Sequence, residues 1–351
     1  MATRRAFLAS LLAASSAPAL GWAAAGSPAF LACAREADGS FALHGLGLDG
    51  QDRFAVPLPA RGHAGAGHPS RPEAVVFARR PGAFALVVDC VTGEVRRRLT
   101  PPEGRQLNGH GAFVRDLVVT SEQVAETSEG VLGLWDAATY ERLGEVPTGG
   151  LGPHDVRRLP DGRLVVANGG IATDPTDRTK LNVPTMRPSL AVLDLAGGVE
   201  SVELDAAMRQ ASIRHLAVRP DGLVAFAMQW EGPSETVVPL LGLWRPGAPP
   251  VLAEAPEAEA ALVQGYLGSV AFSGDGSEVV VTSPRGGRAQ RFDADGAFLG
   301  SLARTEVCGV APLDAGVLLS DGQGGLLAFE GGVARPLGLA PRAWDNHVVA
   351  L

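Results

Sequence analysis

Lysine is almost missing from this chain: Lys180 is the only one in 351 residues. Arginine carries the remaining positive charge and forms no basic run. The 30 Lys and Arg are outweighed by 38 Asp and Glu, a formal net charge of −8. Binding to nucleic acid needs a dense cationic surface that displaces phosphate counterions, so no nucleic-acid partner is expected. Cysteine is also scarce. Cys33, Cys90 and Cys308 fit no zinc spacing and no C-x-x-C-H haem site, and an odd count cannot pair completely. Three buried thiols are expected, with a Cys33–Cys308 disulfide as the alternative in an oxidising compartment. Beyond the N-terminus no apolar run approaches the length of a transmembrane helix. No nucleophile elbow, phosphate loop, dinucleotide fingerprint or H-E-x-x-H helix stands in a fitting context. No catalytic residue and no organic cofactor are therefore assigned, and the balance leans away from an enzyme.

What the chain does have is turn-formers. It holds 45 Gly and 26 Pro, with 46% hydrophobic residues and no G-X-Y period. Many tight turns imply many short strands, hence an all-β fold with a sizeable core. The N-terminus reads differently. Arg4-Arg5 precede an apolar stretch from Ala6 to Leu20, and Ala23-Ala24-Ala25 follow. This is the order of a secretory signal, and the paired arginines resemble the twin-arginine type that exports folded proteins. Residues 1–25 are expected to be a leader cleaved near Ala25. Residues 26–351 are expected to be one periplasmic domain and a monomer.

One unit recurs along that domain: an apolar run, an Asp-Gly-like turn, and a second apolar run. His154-Asp155-Val156 leads through Pro160-Asp161-Gly162 to Leu164–Asn168. His215–Val218 leads through Pro220-Asp221-Gly222 to Leu223–Met228. Ser269–Phe272 and Gly309–Ala311 begin similar units, and Ala74–Phe77 begins an earlier one. Third strands follow at Gly133–Asp136 and Leu190–Asp194, then short outer strands. Four strands make a propeller blade. Residues 26–351 hold seven units of about 47 residues. The C-terminal Asn346–Leu351 has an inner-strand pattern with nothing after it, while Phe30–Cys33 lacks a preceding inner strand. A seven-bladed β-propeller closed by its C-terminal strand is the expectation.

Histidine is concentrated in this scheme. Four of the seven, His110, His154, His215 and His347, begin proposed inner strands, and His68 precedes another. First residues of inner strands share one mouth of the central channel. Imidazoles converging there with Asp155 suit a borderline metal such as iron, zinc or copper. The expected metal residues are His110, His154, Asp155, His215 and His347, with iron or copper as the candidate ions. Structural histidines lining a solvated channel are the plainer alternative. Arg71, Arg214 and Asp345 lie beside them in sequence. A polar insertion from Gly169 to Pro188 offers Asp174, Asn182 and Arg187 as a loop over the mouth. Asn168 and Arg285 complete the expected ligand or partner surface.

Several stretches together resemble a known bacterial family. They include Gly109-His110-Gly111-Ala112-Phe113, Gly152-Pro153-His154-Asp155 and Ala167-Asn168-Gly169-Gly170-Ile171. Ser212-Ile213-Arg214-His215, Cys308-Gly309-Val310-Ala311 and Trp344-Asp345-Asn346-His347 continue the match. They are similar to a family of exported propellers of unknown function, encoded near imelysin-type iron-uptake proteins and di-haem oxidoreductases. The resemblance implies a periplasmic role in iron acquisition with such proteins as partners. It supplies no established activity. This chain departs from the family at Thr120-Ser121-Glu122-Gln123, where an acidic turn is usual. Three functions are weighed on this basis: a metal-binding or scaffold protein, a lactonase-like metal-dependent hydrolase, and a passive interaction module. The first ranks highest because the mouth offers more His and Arg than carboxylate.

Overall fold

The computed structural model describes residues 21–79 and 84–351. The leader signal with Arg4 and Arg5, and the turn at Arg80-Pro81-Gly82, lie outside the described residues. Hydrophobicity decides where each strand sits. The second strands are continuous apolar runs such as Glu73–Ala78 and Leu164–Asn168, buried at every position. A strand buried on both faces needs a sheet stacked on each side of it. The outer strands Val95–Leu99 and Val199–Glu203 are polar and mostly exposed. Asp-Gly hairpins join first to second strands. Gly162 and Gly222 take φ of 89° and 86°, a left-handed conformation that a side chain would strain. Beside the first of them, Asp161 accepts the Arg163 amide at 2.9 Å.

Repetition gives seven four-stranded antiparallel sheets. Their inner strands touch one another in sequence around a closed ring. The chain is a seven-bladed β-propeller. Blade 1 is built from both ends of the chain: Arg342–Ala350 is innermost, followed by Phe30–Glu36, Phe41–Leu46 and Asp52–Leu58. Pairing Phe30↔Ala350, Leu31↔Val349 and Ala32↔Val348 closes the ring and leaves no open inner edge. The expected closure is therefore present.

Blade 2 corrects one strand assignment. Ala74–Phe77 belongs to a second strand, and the inner strand is Gly62–Gly67. His68 follows that inner strand instead of preceding one. Upstream, a short 3-10 turn at Trp22–Ala25 packs on the same region. Ala25 is buried, and Trp22 donates its indole N–H to the His68 carbonyl at 2.9 Å. These residues, counted with the leader in the sequence, thus touch the propeller. Among the described residues no helix is long and apolar enough to cross a membrane.

The core lies between blades, since each sheet buries both faces against its neighbours. The largest cluster joins blades 4, 5 and 6 around Phe226, Met228, Trp244 and Phe272. All three cysteines are buried free thiols, as expected. Burial pushes the Cys90 and Cys308 thiols up to about 12, which keeps them protonated near neutral pH.

Two outcomes test this architecture. Phe226→Ala removes a fully buried ring and should cost about 3–5 kcal/mol in urea unfolding. A chain ending before Arg342 should lose the cooperative transition and become protease-sensitive, because blade 1 then has no inner strand.

Candidate metal centre at the channel mouth

Five histidines meet at one mouth: His63, His110, His154, His215 and His347. Each is placed by the same device. The inner strand carries extra residues against its partner, and such a bulge re-aims a side chain off the regular pleat. In blade 2 the pairing jumps from Gly62↔Ala78 to Gly65↔Val76, with His63 in the gap. In blade 3 it jumps from Leu107↔Glu122 to Gly111↔Thr120 around His110. His154 lies between Pro153↔Asn168 and Val156↔Val166. His215 ends the shift that begins at Ile213, and His347 lies in the irregularity between Trp344 and Val348. The corresponding positions of blades 6 and 7 are Ser269 and Gly309. A Cβ on Gly309 would stand 2.7 Å from Val348 Cγ2, so blade 7 has no room for a sixth imidazole.

The rings form a tight cycle. Centroids are 4.5 Å apart for His63 and His347, 4.6 Å for His215 and His347, 4.6 Å for His110 and His154, and 4.9 Å for His154 and His215. Two triads bring one nitrogen from each member within 4.8 Å of the others: His63, His110 and His154, and His110, His215 and His347. His110 belongs to both. Nitrogens bound tetrahedrally to one ion at about 2.1 Å would lie about 3.4 Å apart, so modest ring rotation closes either triad on a metal. Four of the five rings are buried, and His154 is half-buried.

Carboxylates stand behind this ring. Asp345 Oδ1 is 3.0 Å from His63 Nδ1, and Asp155 Oδ1 is 3.6 Å from His110 Nδ1. The Asp345 carboxylate on His63 Nδ1–H fixes the tautomer whose lone pair sits on Nε2, the arrangement that backs metal-bound histidines, whereas Asp155 stands beyond hydrogen-bond distance of His110. Asp155 is otherwise committed: it accepts the Val156 amide at 2.9 Å and the Leu216 amide at 3.0 Å, tying blade 4 to blade 5. The sequence reading made Asp155 a ligand; in the structure its carboxylate oxygens are engaged by these amides and by Arg157. Burial raises its pKa, against the pull of Arg157. Burial also opposes the charge on Asp345. The hydrogen bond from His63 and the charges of His63, Arg61 and Arg79 outweigh it and hold Asp345 below the usual carboxylate range. His215 and His347 are held well below the ordinary imidazole value, first by burial and then by the neighbouring His63. Both are neutral near pH 7, the form a metal requires.

A cavity of about 250 Å³ opens above the histidines. His63, His154 and His215 form part of its wall, and Arg214 and Asn346 join them. The 169–188 insertion reaches it through Arg178 and Lys180, which form part of its wall. Lys180 and Arg214 both face Glu231. Arg285 lies 4.8 Å over the ring of Tyr266, another wall residue.

Other expected residues do not come to this mouth. Arg71 sits beyond the far end of its inner strand, bound to Glu73, the Ala137 carbonyl and the Tyr140 hydroxyl. His68 is there too, accepting the Ser70 and Arg71 amides. Asn168 is buried between Thr148 and Ser189 and joins blade 3 to blade 4. Asn182 braces the insertion by bonding Ala172 and Gly170. Asp174 caps a surface turn, and Arg187 pairs with Glu203 on the outside. Thr120–Gln123 is no turn here: it is buried strand, with Glu122 held bidentately by Arg142.

His63 and Asn108 were not found from sequence. The run Gly62-His63-Ala64-Gly65-Ala66-Gly67 lacks β-branched residues and does not read as a strand. The Gly-His doublet shared with Gly109-His110 was its only signal, and Gly67-His68 competed with it.

This geometry defines the class: a seven-bladed propeller whose channel mouth is ringed by five imidazoles. The chain belongs to the family described as "Protein of unknown function (DUF1513)", whose profile matches residues 56–351. No curated protein matches the chain significantly. Among solved structures it is similar to Kuenenia stuttgartiensis hydrazine synthase, with a TM-score of 0.59 and 14% identity. The match covers 85% of this chain and 88% of that one, and at this identity it concerns the fold alone.

The depressed imidazoles set a pH dependence. In the unfolded chain His215 and His347 take up protons near pH 6.5, while in the fold they stay neutral until lower pH. The unfolded state then binds more protons, so stability should fall as pH drops below about 6.5. Urea midpoints at pH 7.5 and 5.5 should differ more for the wild type than for a His215→Gln/His347→Gln variant. The comparison cancels His44 and His68, which shift the same way.

Proposed function

We propose that this protein binds a transition-metal ion at the five-histidine mouth and serves as a periplasmic binding or scaffold protein in metal acquisition. The observation that carries the reading is the pair of nitrogen triads sharing His110. Neutral imidazoles favour iron, copper, zinc or nickel over magnesium or calcium, which seek oxygen. Iron and copper remain the candidates, iron being the one that the family resemblance implies. Asp155 and Asp345 stand behind the ring, beside His110 and His63, so a carboxylate-ligated hydrolase centre is not favoured. A rigid ring suits holding an ion in place, since each ligand is fixed by a different blade. The Arg4-Arg5 leader supports export after folding, and imelysin-type or di-haem proteins are the proposed partners for the ion.

Metal titration of chelator-stripped protein with Fe²⁺, Cu²⁺ and Zn²⁺ tests the core of this reading. At least one of these ions should bind at micromolar concentration. His110→Ala should abolish binding, whereas His154→Ala, which touches one triad, should only weaken it. Asp345→Asn should lower affinity about 10- to 100-fold through the orientation of His63. No binding of any of the three ions at micromolar levels would overturn the proposal.

A further inference from the structure

The cavity above the histidines has a chemistry of its own. It is cationic in an acidic protein: Arg79, Arg178, Lys180 and Arg214 line it against one carboxylate, Glu231. Glu231 is shared between Lys180 and Arg214, at 3.8 Å from the latter, and Arg79 is shared with Asp345 at 3.3 Å. Arg178 adds a fourth cation from the insertion. Cationic walls around a recess focus the field and draw in anions even when the whole protein is negative.

A second observation points to a ligand. Asn108 is 1% exposed and lines this cavity, and neither its Oδ1 nor its Nδ2 has a hydrogen-bond partner. The Arg214 Nε is also buried and without one. A buried amide left unsatisfied costs stability unless something supplies its bonds, and such groups seldom occur without a reason. The bulge that carries His110 also carries Asn108, so one backbone irregularity places both.

We propose that this cavity binds a small organic acid bearing two or three carboxylates. Guanidinium groups match carboxylates with paired N–H donors, and the Asn108 amide N–H₂ adds a neutral donor. Its Oδ1 accepts from a hydroxyl or protonated carboxyl of the same ligand. About 250 Å³ is more than a lone phosphate fills and lies below the range for drug-sized ligands. Tyr266, in the connection that leads into blade 6, and Asn346 of blade 1, joined at 3.3 Å, close the wall. The acid lies directly over His63, His154 and His215, where its oxygens stand ready as further ligands to an ion on the ring. The carboxylate site goes beyond metal binding and is recognised by the protein's own groups with or without the ion.

Calorimetric titration of chelator-stripped, full-length mature protein with citrate, succinate and inorganic phosphate tests this. Citrate should bind most tightly, and binding should weaken with added salt. Arg178→Gln, on the exposed insertion, and Asn108→Leu, of similar shape, should each weaken citrate binding about tenfold, the effect of one charge-assisted hydrogen bond. Thermal melting confirms that each variant is folded, and Arg178→Gln tests the proposal even if Asn108→Leu is not. No citrate binding at millimolar concentration, unchanged affinity in Arg178→Gln, or preference for phosphate would overturn it. Metal binding is read separately, without any acid present, so failure of the ion site and failure of the acid site are distinct results.

Discussion

The C-terminal strand Arg342–Ala350 both closes the ring and builds the site. It supplies His347 to the imidazole cycle and Asp345 to the support of His63. Arg342 on the same strand pairs with Asp52 of the outermost strand of blade 1. Until these nine residues dock, blade 1 has no inner strand and the mouth lacks one wall. The strand's contacts with the inner strands of blades 2 and 7 complete the circle, so closure of the fold and completion of the histidine ring rest on one strand.

The second constraint is electrostatic. Five imidazoles packed at centroid distances of 4.5–6.2 Å cannot all be charged, because burial and mutual repulsion both oppose protonation. The protein settles this by keeping His215 and His347 neutral and by giving His63 a carboxylate. Asp345 is in turn steadied by Arg61 and Arg79. Asp155 bonds two backbone amides from adjacent blades and faces His110 as well. Asp345 both joins blade 1 to blade 2 and orients the His63 ring. Above this ring the cavity turns cationic, and the two layers suit different chemistries: nitrogen ligands for an ion below, and guanidinium and amide donors for an anion above.

Much of the fold was legible. Asp-Gly turns between apolar runs marked the blades, because hairpins need those residues and because strands stacked between sheets must be apolar throughout. The terminal pattern at Asn346–Leu351 marked the closure. Four ring histidines stood out by their place in the repeat. Blade 2 was misread because its inner strand is made of Gly, Ala and His. A strand next to the channel needs little side-chain volume, and so it carries no β-branched signature. Arg71 and His68 were drawn to the mouth by proximity in sequence to a strand that was assigned one position too late.

The sequence by itself determined the class of fold, the number of blades, the way they close, and a surplus of histidine at equivalent places in the repeat. These are local or periodic properties, set by turn chemistry and by the hydrophobic pattern. Only the tertiary structure decided which side chains meet. Bulges turn the five imidazoles toward one another, Asp155 turns back onto amides and His110, and Asn108 is left facing a cavity with unmet hydrogen-bonding groups. A bulge depends on how one strand pairs with its neighbour, and the residues gathered here come from blades far apart along the chain. The repeat brought four of these imidazoles to one mouth, but the fifth, His63, and the contacts among them are properties of the closed ring.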